Sequence, residues 1–432
     1  EYTIADTQKL VNELKLVLDN EDIGRAFYAI LLNGYKGIKL IDFDDFSGTR
    51  NSFNVVTELT YKNGSDEFRP DIIPLINGIP LAFIEVKKPN NKNGIKAEYD
   101  RMNARVQNKK FRRFINLTQI MVFSNNSPYD DNEVVPLEGA FYAASSYKKL
   151  FFSHFREEDP KLISSVPEAD EDKENFILKD NNLVSIKHTP EYITNRAIDT
   201  PTNSIITSLF SFERLLTFLK YAIAYVEKTD ENGITHLEKH LMRYPQFFAT
   251  KAIENKLNQG VKNGIIWHTQ GSGKTALSYY NVRYLTDYYQ KRGTIAKFYF
   301  VVDRLDLLTQ AANEFRARGL EVEELNSKEE FVKNIQTTGT SNNTGKATIT
   351  VVNIQKFSKE SIVNKSDYAV NVQRIYFLDE AHRSYKPTGS FLANLLSSDR
   401  DAVMIALTGT PLIGTIYDDE GRPVSGSKYD SK

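Results

Sequence analysis

The chain of 432 residues contains no cysteine. That absence removes disulfides, thiolate nucleophiles and cysteine-based zinc sites together. No run of eighteen apolar residues occurs, and the start, Glu1-Tyr2-Thr3-Ile4, has neither a basic n-region nor an apolar h-region. Nothing therefore reads as a membrane span or a secretory signal. A charge bias is missing as well: 55 Lys and Arg stand against 56 Asp and Glu, a formal net charge of −1. No global basicity announces a nucleic-acid partner, so any such surface has to be local. These absences fit a soluble, cytoplasmic protein, and the missing initiator Met points to a natural chain that begins slightly upstream. What is present is ordinary globular composition, 41% apolar and 26% charged, at a length that calls for two or three domains.

Apolar spacing at Leu10, Val11, Leu14 and Leu18 predicts an amphipathic helix over 7–18. Short β-like runs follow at 54–61, 71–76 and 81–86, with Asn77-Gly78 as a hairpin turn between the last two. A charged helix over 94–113 leads into a strand at 120–123. This α-β-β-β-α-β order describes a compact domain, residues 1–156. Residues 157–185 read as an acidic linker, because 157–174 hold eight acidic and two basic residues with two prolines, the composition of a solvated tether. Residues 186–417 form a second domain. Leu209, Phe212, Leu216 and Leu219 continue helically into Ile223 and Val226, and a further helix is expected over 238–257. Strands at 264–267, 297–302, 348–352, 374–378 and 402–407 then alternate with helices at 274–290, 306–318 and 390–397, an order that argues for a parallel sheet. Residues 418–432 are a polar tail.

Within the second domain, Ile265-Ile266-Trp267-His268-Thr269-Gln270-Gly271-Ser272-Gly273-Lys274-Thr275 runs from an apolar strand through a Gly-rich loop into a helix. Backbone N–H groups of Gln270, Gly271, Ser272 and Gly273 can curl round phosphates, Lys274 adds a point charge, and the Thr275 hydroxyl can bind Mg²⁺. The general pattern begins with Gly, and here that position is His268. Farther on, the strand at 374–378 ends in Asp379-Glu380-Ala381-His382. A carboxylate at the C-terminal end of a parallel strand is expected beside the phosphate loop. Asp379 can hold Mg²⁺ there and Glu380 can orient and deprotonate the attacking water. An acidic strand end that merely caps a helix is the plainer alternative. Leu407-Thr408-Gly409-Thr410-Pro411 suits a loop that senses the γ-phosphate, although a type II turn has the same composition.

The first domain carries a second constellation. Arg69-Pro70-Asp71-Ile72-Ile73 precedes Ile84-Glu85-Val86-Lys87-Lys88. On a strand Glu85 and Lys87 share a face, and Asp71 on the neighbouring strand can converge on it. Two carboxylates would hold Mg²⁺ and Lys87 would polarise a water, the arrangement of an Asp…Glu-x-Lys nuclease. A charged solvent face of an antiparallel strand is the alternative. Residues 85–113 contain ten basic and three acidic residues, with Phe111 and Phe114 among Lys109, Lys110, Arg112 and Arg113, a patch suited to a phosphodiester or to a solvated helix face. Glu58 is a further carboxylate candidate.

The ordered trio Gly-Ser-Gly-Lys-Thr, Asp-Glu-Ala-His and Thr-Gly-Thr-Pro resembles motifs I, II and III of superfamily 2 helicases and translocases. By the same resemblance, Arg243-Tyr244-Pro245-Gln246-Phe247-Phe248 looks like an adenine-reading Q motif, and Val301-Val302-Asp303-Arg304 looks like motif Ia, which faces the DNA backbone. With the Asp…Glu-x-Lys pattern, the acidic linker and His268, nearly the whole chain resembles the R subunits of type I restriction enzymes. The resemblance implies an α/β protein, a PD-(D/E)xK nuclease domain followed by a RecA-like parallel-sheet domain. It implies ATP and Mg²⁺ as cofactors, and double-stranded DNA with methyltransferase (M) and specificity (S) subunits as partners, away from membranes. The implied activity is ATP-dependent translocation of duplex DNA and cleavage of unmethylated foreign DNA. Asp71, Glu85, Lys87 and Glu380 would be catalytic. Gln246, Gln270, Gly271, Ser272, Gly273, Lys274, Thr275 and Asp379 would bind nucleotide. Metal would lie at Asp71 and Glu85 and at Thr275 and Asp379. The sequence departs from the family in two places. The Gln-x-x-x-Tyr element expected after Lys87 has only Arg101-x-x-x-Arg105, or Gln107 with Phe111, as its nearest match. No second RecA-like series follows Pro411, so the chain reads as an N-terminal fragment with the nuclease and the first motor domain. An independent repair or defence helicase-nuclease, or a non-catalytic ATP- and DNA-binding module, would share these motifs.

Overall fold

Two neighbouring strands buried along their whole length organise the first half of the chain. The structure, a computed structural model, describes residues 2–89, 91, 93–129, 138–146, 150–167, 169–269, 271–337, 347–353, 371–380 and 399–409. Its two compact units are Glu1–Phe248 and Ala249–Lys432, so residues 186–248 are compact with the N-terminal part of the chain.

The first unit begins with helices α1 (Ile4–Val17) and α2 (Arg25–Asn33). The Thr3 hydroxyl and the Asp6 carboxylate cap the start of α1 reciprocally. Strands β1 (Phe53–Thr57), β2 (Tyr61–Asn63), β3 (Asp66–Phe68), β4 (Ile72–Ile76), β5 (Ile79–Pro80) and β6 (Ala82–Val86) precede α3 (Gly94–Gln107) and α4 (Arg112–Leu117), then β7 (Ile120–Ser124), β8 (Ala140–Ala143) and β9 (Ser153–His154). The main sheet has the order β1-β4-β6-β7-β8-β9, with β5 on β4. The predicted turn is present: Asn77 and Gly78 both have positive φ, 51° and 78°, which suits the two-residue hairpin between β4 and β5. β6 and β7 are parallel, with Glu85 opposite Phe123. Every residue of β7 and β8 is buried, the mark of a central strand covered on both faces. Phe68, Phe83, Phe123, Phe141 and Met102 of α3 form the core of one face, where edge-to-face contacts such as Phe83 with Phe123 set the packing.

The acidic segment is not a featureless tether. It holds α5 (Pro160–Ser164) and α6 (Glu171–Asp180), and its acidic residues serve as their caps. Asp159 accepts from Lys161 N and Asp170 from Lys173 N, while Glu171, Asp172 and Glu174 fill the first turn of α6, where they offset the helix dipole. Glu157, nearly buried, pairs with Arg214 at 3.1 Å. Helices α7 (Pro190–Arg196), α8 (Pro201–Phe210) and α9 (Phe212–Tyr221) follow. The helix expected to run through Ile223 and Val226 stops at Tyr221, and the one expected from 238 starts later. Between them lies an antiparallel hairpin, β10 (Ile223–Thr229) with β11 (Thr235–Leu241), before α10 (Tyr244–Asn258). The three-residue spacing of Ile223 and Val226 imitated a helix, whereas the turn residues Asp230 to Gly233 and the flanking β-branched residues decide for the hairpin.

In the second unit β12 (Asn263–Trp267), α11 (Lys274–Gln290), β13 (Ile295–Val302), α12 (Leu305–Ala317), β14 (Glu321–Leu325), α13 (Lys328–Gln336), β15 (Thr348–Asn353), β16 (Val372–Asp379) and β17 (Val403–Thr408) build a six-stranded sheet of order β12-β17-β16-β13-β15-β14. All five pairings are parallel, as the alternation required. β14 and α13 went unread in the sequence, and the helix expected at 390–397 lies outside the described residues. β13, β15, β16 and β17 are apolar runs buried almost throughout. An exception inside β16 is Arg374, whose Nε and Nη2 reach both carboxylate oxygens of Asp399 at 2.5 and 3.1 Å, with both residues at most 5% exposed. Replacing Asp399 by Ala leaves a buried guanidinium without its counter-charge and should cost about 3–5 kcal/mol. Urea denaturation measures it, and a loss under ~1 kcal/mol would refute the pairing's role.

Candidate active sites

In the first unit β4 meets β6 antiparallel at Ile72 and Ile84, which brings Asp71 to the end of β6. Asp71 Oδ2 accepts the Val86 backbone N–H at 2.8 Å. Glu85 is 4% exposed within β6, and Lys87 extends on the same side. Lys87 Nζ donates to Glu85 Oε2 at 3.0 Å and stands 3.8 Å from Asp71 Oδ2. The three residues predicted from the sequence thus converge at one strand end. Glu58 follows β1 with a left-handed φ of 55°. Its N–H bonds to the Asp71 carbonyl, but its carboxylate turns to Arg69 at 3.8 Å.

The electrostatics of this cluster come from burial. Glu85 is pushed up to about 7 by desolvation and then by the neighbouring Glu98 carboxylate, against the pull of Lys87. Burial lowers the Lys87 ammonium, but the bond to Glu85 and the charges of Glu85, Glu98 and Asp71 outweigh it and raise it overall. The second oxygen of Glu85, Oε1, is buried and has no hydrogen-bond partner. A buried carboxylate oxygen in that position is costly unless a cation or water meets it, and carboxylate oxygens are the ligands that Mg²⁺ takes. Among the described residues no group of three His, Asp or Glu side chains has metal-holding geometry, so a cation here would rest on Asp71 and Glu85 alone among the side chains.

Glu98, on α3, went unread in the sequence. Its Oε2 lies 3.5 Å from Lys87 Nζ and pairs with Arg101, and its Oε1 accepts from Arg105 at 3.0 Å. The spacing 98, 101, 105 puts all three on one helical face, a signal legible once α3 is docked on the sheet. Glu85, Lys87, Glu98, Arg101, Arg105 and Arg69 are among the residues that line a cavity of about 420 Å³. The rest of the basic run is largely neutralised rather than free. Lys110 pairs with Asp66, Arg112 with Glu21 and Arg113 with Asp19, which leaves much less cationic surface than composition alone implies.

In the second unit the Gly-rich loop leaves β12 and enters α11. Gly271 and Gly273 have φ of 77° and 83°, the left-handed backbone that a phosphate-cradling turn needs and that a side chain would strain. Gln270 lies outside the described residues, as do Ala381, His382, Thr410 and Pro411. Lys274 opens α11 and is 9% exposed, with Nζ 3.4 Å from Glu380 Oε1. Thr275 is next on the same first turn. Glu380 has φ of 47°, a conformation costing a bulky residue roughly 1 kcal/mol or more, and it follows β16 directly. Asp379 is pushed up to about 6 by burial and then by Glu380, with Lys274 acting the other way. The Asp379-Glu380 pair stands beside Lys274 of the loop although the two strands are not neighbours, since β17 lies between β12 and β16. The long Lys274 and Glu380 side chains bridge that interval. The loop is tied to β17 instead, where His268 N donates to Thr408 O and Trp267 Nε1 to Gly409 O, both at 3.1 Å.

Gln246 is buried in the first unit, and its Oε1 accepts from Arg243 N at 3.0 Å, a cap on the start of α10. Asp303 is buried, whereas Arg304 is more than half exposed and pairs with Asp306 at 2.9 Å.

Two family models match. Residues 2–129 fit the type I restriction enzyme R protein N terminus, and residues 245–423 fit the SWI2/SNF2 ATPase. A provisionally named type I restriction enzyme endonuclease subunit, MjaIXP, of Methanocaldococcus jannaschii is 27% identical over 91% of this chain and 36% of its own length. The type I restriction enzyme SsaAORF53P endonuclease subunit of Staphylococcus saprophyticus is 30% identical over 42% of this chain and 18% of its own. The chain thus spans about a third of the length of the first of these relatives. A solved nuclease-deletion mutant of the Type ISP restriction-modification enzyme LlaGI with a DNA substrate mimic is 17% identical, at a TM-score of 0.28, over 44% of this chain and 19% of its own. So slight a structural likeness decides nothing about the fold. No described helix is long and apolar enough to cross a membrane.

The raised Glu85 carboxyl has a consequence for stability. Its value of about 7 exceeds the ordinary 4.5, so the fold favours the neutral form. The associated stability is complete below 4.5 and disappears as pH rises through about 7. Glu85→Gln cannot ionise, so without divalent cations it should gain on the wild type by about 2–3 kcal/mol between about pH 5 and pH 8. Denaturation midpoints at both pH values measure this, and a wild-type-minus-variant difference independent of pH would contradict it.

Proposed function

We propose that the chain is part of an R subunit of a type I restriction enzyme and that it carries the nuclease and nucleotide-binding parts of an ATP-driven DNA endonuclease. The observation that carries this reading is the meeting of Asp71, Glu85 and Lys87 at the end of β6, beside a buried carboxylate oxygen that lacks a partner. Such a set matches a PD-(D/E)xK nuclease, which we assign to residues 1–156, with the motor domain in the second unit, from Ala249 onward.

Asp71 and Glu85 would hold Mg²⁺, which when bound supplies Lewis-acid stabilisation of charge on a scissile phosphate. Lys87 donates a hydrogen bond to the attacking water and keeps it in line. The depth of Glu85 keeps bulk water from competing for that position. In the motor, the amides of residues 271–273 would cradle the triphosphate and Lys274 would give up Glu380 for its β- and γ-oxygens. Glu380, once released, takes the proton of the attacking water, while Thr275 and Asp379 are the residues suited to the accompanying Mg²⁺. Thr408 and Gly409, bonded to the loop strand through His268 and Trp267, would feel the state of the nucleotide. Duplex DNA is the substrate, and the M and S subunits, which modify and recognise it, are the partners.

The two activities should separate by mutation. Lys87→Ala in the assembled complex should abolish DNA cleavage and leave ATP hydrolysis intact. Lys274→Ala should lose both, since cleavage depends on translocation. Trp267 is the chain's single tryptophan and lies against the loop, so its fluorescence should change on ATP binding in the wild type and not in Lys274→Ala. Cleavage at wild-type rate by Lys87→Ala would sink the nuclease assignment.

A further inference from the structure

Three positive side chains surround one buried carboxylate at the nuclease cavity, and the sequence pattern accounts for only one of them. Glu98 is 2% exposed. From α3 its two oxygens reach Lys87, Arg101 and Arg105. Arg105 is fixed a second time, with its guanidinium 3.9 Å from the centre of the Phe68 ring. Arg101 is held at one end by Glu98 and is about half exposed at the cavity mouth, where Arg69 also lines the wall. A buried carboxylate without counter-charges would be expensive, so Glu98 and the three cations define one another's places.

We propose that Glu98 is a positioning residue of the nuclease site, holding Lys87 toward the reacting water and aiming Arg101 and Arg105 to grip non-bridging oxygens of the DNA backbone. This rests on the nuclease reading of Asp71, Glu85 and Lys87. Lys87 now shares its ammonium between Glu85 at 3.0 Å and Glu98 at 3.5 Å. When Glu85 turns its oxygens to a cation, Glu98 is the carboxylate that remains to keep Lys87 in place. Two guanidinium groups on one helical face suit the tetrahedral array of phosphate oxygens, and the cavity of about 420 Å³ is open enough to admit a backbone phosphate. Glu98 itself is not a cation ligand here, because both its oxygens are already committed to Lys87, Arg101 and Arg105.

The test is single-turnover DNA cleavage by the full-length subunit in its assembled complex, with ATP hydrolysis and translocation measured on the same preparations. Glu98→Gln should lower the cleavage rate constant roughly 10- to 100-fold, as small misplacements of reacting groups do. ATPase and translocation should be unchanged, as should the Mg²⁺ concentration giving half-maximal cleavage. In a crystal structure of this variant, Arg101 should leave the cavity mouth. Arg101→Gln should also slow cleavage, and Arg101→Lys should restore part of the rate by returning the charge. If Glu98→Gln fails to fold, Glu98→Asp keeps the charge but shortens the reach, and it should still cut more slowly at saturating Mg²⁺. Wild-type cleavage by the folded Glu98 variants would overturn the inference, as would a loss repaired by raising Mg²⁺, which would make Glu98 a cation ligand. Lys87→Ala distinguishes the two failures. If it is inactive while Glu98→Gln is normal, only this inference falls, whereas normal cleavage by Lys87→Ala removes the nuclease reading itself.

Discussion

A charge withdrawn from water has to find an opposite charge, and both candidate sites are organised by that constraint. In the first unit the carboxylate of Glu85 sits inside a strand whose neighbours are apolar, so Lys87 lies against it and Glu98 balances Lys87 from α3. In the second, Lys274 at the start of α11 is held by Glu380, which reaches it through a left-handed turn. Such pairs contribute little net stability, since desolvation cancels most of the Coulomb attraction. Their value is positional. Each cluster is held together by an exchangeable ion pair, and an incoming anion or cation can replace one partner with a like charge.

The sheets supply the geometry that makes those exchanges local. β6 ends where β4 begins, so Asp71 and Glu85 become neighbours although the hairpin separates them in sequence. In the parallel sheet every strand points the same way, and the Gly-rich loop, the Asp379-Glu380 pair and Thr408-Gly409 all emerge at the carboxyl ends of β12, β16 and β17. The strand between the first two is the one that carries Thr408, which explains how a loop on β12 can be bonded to the residues that would report hydrolysis.

Much of this was legible in the residues because it depends on local period and on glycine. The two-residue repeat put Glu85 and Lys87 on one side, Asn77-Gly78 marked its turn, and the apolar runs at 297–302 and 374–378 could only be buried strands. Other features depended on tertiary contacts that no window of sequence contains. Glu98 looks like one more charge on a polar helix until α3 is laid on β6 and β7. The basic residues of 109–113 look like a nucleic-acid patch until Glu21, Asp19 and Asp66 arrive from distant segments. The acidic run at 157–174 looked like a tether because helix caps and solvated charge have the same composition. The hairpin of β10 and β11 was hidden by an accidental helical spacing of Ile223 and Val226.

On this reading, two separate carboxylate clusters in the chain would hold divalent cations for different reactions. Anomalous diffraction from a crystal soaked with Mn²⁺ and a non-hydrolysable ATP analogue tests it most directly. One peak is expected between Asp71 and Glu85 and a second beside Thr275 and Asp379, with Lys87 and Lys274 each released from its present carboxylate. A map without the first peak, or with cations bound only at other carboxylates, would contradict it.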